Sequence, residues 1–144
     1  RLLGIADART SSNFDKSELM TVWGIRVTES IADKLLALVK HASRDGIRLG
    51  GGGYRSSQSQ INLRRAHCGT SNYAIYRKPS YQCRPPTARP GASMHERGLA
   101  VDFTQNGRAL WSNTSGYRWL KRNASQYGFR NLPSEPWHWS TNGR

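Results

Sequence analysis

The stretch Ser93-Met94-His95-Glu96-Arg97-Gly98-Leu99-Ala100-Val101-Asp102-Phe103 decides how this chain is read. Its second half alternates. Leu99, Val101 and Phe103 face one side and Ala100 and Asp102 the other, as in a strand with one buried face. A carboxylate among apolar strand neighbours is costly unless a cation or hydrogen-bond donors compensate it. His95 lies seven residues before Asp102. Fully extended, that separation spans roughly 23 Å. The two side chains can share one ion only if the chain bends, and Gly98 permits a bend.

Working outward, Glu135-Pro136-Trp137-His138-Trp139 reads as a closing strand. Trp137 and Trp139 share a face and His138 points away from them. Pro136 argues against a helix. If the strands of Asp102 and His138 pair, both polar side chains project from one sheet face, which is what a metal site requires. His95, Asp102 and His138 then offer nitrogen and oxygen donors and leave a fourth position for water, a nucleophile at neutral pH once activated. Glu135 stands three residues before His138. This is not the helical H-E-x-x-H arrangement, but a carboxylate so placed can serve as general base. The ordinary alternatives are a surface imidazole for His95 and a surface ion pair for Glu135.

A third constellation is Gly53-Tyr54-Arg55 with Gln58 and Gln60. An arginine leaving a glycine-rich strand end presents a rigid, permanently charged fork. It suits an oxyanion or a substrate carboxylate. The run Gly50-Gly51-Gly52-Gly53 lacks the G-K-[ST] of a phosphate loop, and Arg55 does not replace that lysine. The residues read best as a zinc hydrolase, and among those a peptidase.

Composition limits the alternatives. A chain of 144 residues suits one domain with its own core. Mean hydropathy is low at −0.72, but five Trp, six Tyr and three Phe argue against disorder. No apolar run approaches the roughly 20 residues of a membrane helix, and no signal peptide is visible. Net charge is +13, from 22 Lys and Arg against 9 Asp and Glu, which implies attraction to a polyanion such as nucleic acid, anionic lipid or cell wall. No basic helix, zinc-finger spacing or RNA-binding aromatic signature is present. Cys68 and Cys83 lack C-x-x-C spacing. They read as a disulfide, which implies an oxidising compartment, or else as two unpaired thiols.

No internal repeat or interdomain linker is visible. Residues 1–27 carry few periodic signals and are expected to wrap the surface. Thr28 or Ser30 caps a helix with Ile31, Leu35, Leu38 and Ala42 at helical spacing, ended by Asp45-Gly46. Ile47-Arg48-Leu49 reads as a short strand. Ser56 or Ser57 caps a second helix running to about Ala66. Residues 67–92 form a long proline-bearing loop, stapled if the cysteines pair. Asn106-Gly107 marks a turn. A third helix is expected from Ser115 to Tyr127 with Gly128 as its stop, and 128–131 reads as another strand.

In order and spacing, Ser93-x-His95, Gly98-x-Ala100-x-Asp102 and Glu135-x-x-His138 resemble the LAS-type zinc peptidases of bacterial cell walls. Gly53-Tyr54-Arg55-Ser56, with Gln60 five after the arginine, resembles their VanY-like D-alanyl-D-alanine carboxypeptidase branch. The resemblance implies a small single α+β domain spanning 1–144, with an antiparallel sheet flanked by helices. It implies one Zn2+ per chain on His95, Asp102 and His138, with Glu135 as base and Arg55 stabilising the carbonyl oxygen. Ser93, Gln60 and Trp137 would line the substrate site. It further implies peptidoglycan stem peptides as substrate, an anionic wall as partner and an extracytoplasmic location. A monomer is expected, with no nucleic acid and no membrane span. The glycine run and the Cys68–Cys83 loop are elaborations on the family pattern. Alternatives are an endopeptidase of the L-Ala–D-Glu type, a zinc-containing wall-binding module without turnover, and a basic nucleic-acid-binding protein. Retention of Glu135 argues against the binding module, which needs ligands but no base.

Overall fold

The computed structural model describes residues 15–144. In chain order it contains β1 (Leu19–Val22), β2 (Ile25–Thr28), α1 (Glu29–Arg44), β3 (Leu49–Gly52), α2 (Ser57–Cys68), α3 (Asn72–Tyr76), β4 (Ala100–Gln105), β5 (Arg108–Ala109), α4 (Ser115–Asn123), β6 (Arg130–Leu132) and β7 (Glu135–Ser140). Short 3-10 turns occur at Lys16–Glu18, Ser80–Gln82, Met94–Arg97 and Ala124–Tyr127. The described residues fall into two compact units. One is Arg55–Arg97; the other joins Asp15–Tyr54 to Gly98–Arg144.

The larger unit is built on an antiparallel sheet in the order β3-β4-β7-β6, with β5 pairing β4. Its core joins the buried face of α1 (Ile31, Leu35, Leu38, Val39, Ala42) to Val101, Phe103, Trp119, Leu120, Phe129 and Trp139. Thr28 is the N-cap residue of α1 but makes no side-chain cap bond. A cap is worth about 1 kcal/mol, whereas each fully buried large aliphatic contributes about 2 kcal/mol. The buried stripe therefore holds this helix, as its spacing predicts. α4 is capped by Thr114, whose side chain accepts from the Tyr117 N–H. It gives way to a 3-10 turn before Gly128 ends it with φ +84, so the expected helix is split in two.

Three local expectations are corrected. Residues 1–14 of the expected wrapping segment lie outside the described residues. The remainder, 15–27, does not wrap the surface: it forms a 3-10 turn and most of the β1–β2 hairpin. Ile25 and Val27 are fully buried in that hairpin. Four-residue strands around Trp23-Gly24 were too short to register as a period. The expected strand at 47–49 instead starts at Leu49 and runs through the glycines to Gly52. A Cβ on Gly51 would run into the Asp102 carbonyl, so the strand approaches β4 only because that residue is glycine.

The third correction concerns 67–92, expected as a loop. The Arg55–Arg97 unit contains little apolar material; its small cluster is Cys68, Ala74 and Cys83, with the two cysteines joined in a disulfide. Within 67–92, Ser71 caps α3 by accepting from the Ala74 N–H. The segment is organised by Arg64, which is fully buried. Its Nε donates to the Ile75 carbonyl (2.8 Å), Nη1 to that of Thr87 (2.6 Å), and Nη2 to those of Ala74 (2.8 Å) and Lys78 (2.7 Å). One guanidinium thus satisfies carbonyls that helix and loop leave open.

Replacing Arg64 with Met keeps the stem and removes the donors. We expect Arg64→Met to lose on the order of 3 kcal/mol of stability, since hydrogen bonds to charged groups and newly orphaned carbonyls both count. A urea midpoint equal to wild type would show that the loop does not depend on this cation.

Candidate active site

In the larger unit, Asp102 on β4 sits directly opposite His138 on β7. Asp102 Oδ1 and His138 Nδ1 are 3.1 Å apart. The alternation of 99–103 and 137–139 left this pairing as a condition, and the structure meets it. The imidazole is buried, with its side chain 7% exposed. Its other nitrogen, Nε2, lies 2.6 Å from the main-chain oxygen of Arg144. That oxygen only accepts, so Nε2 donates. Nδ1 then presents a lone pair to a carboxylate oxygen, and the pair needs either a second proton or a cation between them. Burial pushes the His138 pKa down, but the bond to Asp102, the bond to the Arg144 oxygen and the charges of Asp102 and Glu135 together raise it above the ordinary value.

Glu135 begins β7, with Oε1 3.8 Å from His138 Nδ1. Residues three apart on a regular strand point to opposite faces. The register shift between Asn131 and Leu132 on the neighbouring strand removes that regularity. The Asn131 side-chain amide donates to the carbonyls of both Glu135 and His138, at 3.0 Å each. Asn131 thus shapes the segment carrying Glu135 and His138, a role that sequence reasoning missed because nothing near it in sequence marks it. Trp137 is half-buried and meets the exposed Trp111 edge to face at 5.1 Å.

In the Arg55–Arg97 unit, His95 stands in the 3-10 turn Met94–Arg97 and is 3% exposed. Ser93, also buried, accepts the His95 N–H on its Oγ at 3.2 Å. Arg55 donates its N–H to the His95 carbonyl and its Nη1 to Gln60 Oε1, at 3.1 and 3.0 Å. Gln60 is expected to line the substrate site, and the structure gives it another part. It is 1% exposed, and its amide nitrogen is spent on the Ala88 carbonyl at 2.8 Å. It holds Arg55 from within. Glu96 is the residue overlooked here. Its buried carboxylate accepts from the N–H groups of Gly91 and Ser93 and from the Ser57 hydroxyl, at 2.9 to 3.2 Å. The spacing Ser93-x-x-Glu96, the pattern of a capping box, was the available signal. Gly98, which opens the next segment, takes φ +69, a conformation that favours glycine.

A family model described as VanY, D-alanyl-D-alanine carboxypeptidase, matches residues 24–144. The chain belongs to this family. It is 30% identical over 130 residues to a D-alanyl-D-alanine carboxypeptidase of Enterococcus faecalis (strain ATCC 700802 / V583), covering 81% of this chain and 48% of that protein. The chain thus spans about half the length of the curated relatives it matches. Among solved structures it resembles a vancomycin resistance D,D-pentapeptidase VanY in complex with Zn(II), at TM-score 0.65 and 28% identity, over 85% of this chain and 77% of that one. VanYB in complex with D-alanine-D-alanine gives 0.63 and 26%, over 85% and 76%. The LD-carboxypeptidase LdcB gives 0.66 and 25%, over 90% and 70%. The α+β architecture with an antiparallel sheet and helices is that of VanY and its LAS-type relatives, as the sequence motifs implied.

The raised pKa of His138 has a measurable consequence in metal-free protein. Its protonation stabilises the fold fully below the unfolded-state value, and that contribution is lost as pH rises through the folded-state value. In an NMR titration, Asp102→Asn should bring the His138 pKa down from its wild-type position. An unchanged titration would mean that the carboxylate is not what holds the proton.

Proposed function

We propose that this chain is a zinc peptidase of bacterial cell walls that releases the terminal D-alanine of peptidoglycan stem peptides. The metal would be held by His95, Asp102 and His138. The observation that carries this reading is that Asp102 Oδ1 and His138 Nδ1 face each other 3.1 Å apart across paired strands, a carboxylate and an imidazole of the three-residue set that the family motifs imply. Two imidazoles and a carboxylate suit zinc with an open position. The facing lone pairs of Asp102 and His138 need a cation or a proton, so the donor set fits the group. A zinc ion bound there supplies Lewis acidity and an activated nucleophile at neutral pH.

The chain's own residues do the rest. Glu135, held by the Asn131 clamp, takes a proton from the attacking water and returns it to the departing amine of D-alanine. Arg55, braced by Gln60, stabilises negative charge on the scissile carbonyl oxygen. Trp137 with Trp111 gives an apolar wall for the peptide. Ser93 and Glu96 fix the His95 turn. The relatives support the substrate class, because one is a D-alanyl-D-alanine carboxypeptidase and one was solved with D-alanine-D-alanine. The likeness to an LD-carboxypeptidase makes the stem tetrapeptide the substrate to compare. We place the protein outside the cytoplasm, as a monomer on an anionic wall. The Cys68–Cys83 disulfide and a net charge of +13 suit that setting. No helix of the described residues is long and apolar enough to cross a membrane.

The test is metal analysis together with D-alanine release from a stem pentapeptide and tetrapeptide. One zinc per chain is expected, with activity lost to a chelator and restored by zinc. Glu135→Ala should keep its metal and lose at least about a hundredfold in turnover, whereas Asp102→Ala should lose both. Full activity in metal-free protein would sink the proposal, and equal turnover by wild type and Glu135→Ala would remove that residue from the mechanism.

A further inference from the structure

We infer that the outward face of α3 is a binding groove for the sugar polymer that carries the stem peptides. The inference rests on the cell-wall reading above and uses none of the catalytic residues assigned there. α3 is five residues long and buries Ala74 and Ile75. Tyr73 and Tyr76, three apart and so on one face, are 55% and 49% exposed. With Asn72 and Arg77 they line a cavity of about 440 Å³, within the roughly 300–1,000 Å³ of small-molecule clefts. Tyr81, 75% exposed, stands on the same disulfide-closed loop. Half of the chain's six tyrosines thus lie between Cys68 and Cys83, all of them exposed. A single exposed aromatic needs no explanation, but a cluster marks an interaction surface.

The face is also held still. Arg64 grips the carbonyls of Ala74, Ile75 and Lys78 from within. The Arg77 carbonyl accepts from Nε and Nη2 of Arg89, at 3.2 and 2.8 Å. Lys78 Nζ donates to the Cys68 carbonyl at 2.9 Å. A helix this short does not stay formed on its own; here a buried guanidinium and a disulfide fix it, and what they fix presents tyrosines outward. A platform ordered in advance loses little freedom when a ligand arrives.

The lining selects the ligand. A phenol ring has a flat apolar face and a polar edge, which matches a pyranose ring, apolar on its C–H face and ringed by hydroxyls. Asn72 and Arg77 add groups for hydroxyl, amide and carboxylate partners. A wall glycan supplies all three, because N-acetylmuramic acid carries an acetamido group and, where no peptide is attached, a free carboxylate. Charge agrees. From 55 to 97 there are eight Lys and Arg against one acid. That acid, Glu96, is buried and engaged by main-chain N–H groups and a hydroxyl. An anionic polymer is drawn to such a surface, and holding the strand raises the local concentration of the peptides attached to it.

The probe is peptide-free glycan strand of alternating N-acetylglucosamine and N-acetylmuramic acid, titrated into the full chain by calorimetry, with double-stranded DNA as the contrasting polyanion. Wild type should bind the strands. Tyr73→Ala/Tyr76→Ala should bind them at least about tenfold more weakly, and Tyr73→Phe/Tyr76→Phe, which keeps both rings, should retain most of the affinity. Both tyrosines are exposed, so the variants should keep the wild-type melting temperature, and D-alanine release from a free stem pentapeptide should be unchanged. Strands that wild type does not bind, or equal affinity in wild type and the double alanine variant, overturn the inference. So does DNA binding that falls by the same factor, since the face would then be a general polyanion surface. Binding needs no turnover, so the two readings fail separately. A wild type that holds strands through these rings but releases no D-alanine loses only the peptidase reading. One that releases D-alanine but holds strands no better than the double alanine variant loses only this inference.

Discussion

The antiparallel register of β4 against β7 is the constraint on which the larger unit's chemistry depends. It sets Val101 against Trp139 and Asp102 against His138. A slip of one residue would exchange the faces, turning polar side chains into the core and apolar ones out. Burial of Val101, Phe103 and Trp139 opposes that slip. On the other side of β4, the side-chain-free Gly51 lies close against the Asp102 main chain. The same packing that stabilises the sheet therefore delivers a carboxylate and an imidazole to one place, 3.1 Å apart.

Order in the Arg55–Arg97 unit has a different source. With few aliphatics to bury, the segment wraps its main chain around two buried charges. Arg64 gathers carbonyls, and Glu96 gathers N–H groups and a hydroxyl. Each charge is compensated by hydrogen bonds, which is what makes burial of a charge tolerable. The functional gain is local rigidity. Ser93 and Glu96 fix the turn that carries His95, and Gln60 fixes the side chain of Arg55.

Where the signal was periodic or covalent, the residues could be read directly. The stripe of α1, the alternation at 99–103, the Asn106-Gly107 turn and the pairing of Cys68 with Cys83 are of this kind. Signals failed where the deciding contact lies far away in sequence. The β1–β2 strands are too short to show a period. The glycine strand looks like a loop until Asp102 is set beside it. Gln60 follows Arg55 by five residues and looks like a ligand for substrate, but only the loop's return at Ala88 shows that its polar ends are already engaged. Asn131 carries no local mark, because what it does is join the carbonyls of Glu135 and His138.

By itself, then, the sequence determined the kinds of donor available, their order along the chain and the faces on which strand alternation puts them. Those follow from side-chain chemistry and from backbone periodicity, both of which are local. Tertiary structure decided which atom of each side chain is offered. Nδ1 of His138 faces Asp102 while Nε2 faces the main-chain oxygen of Arg144. Glu135 lies near that imidazole because a register shift breaks the alternation its strand would otherwise follow. Such choices depend on distances through space, and these exist only once sheet register and turn geometry have been set by packing.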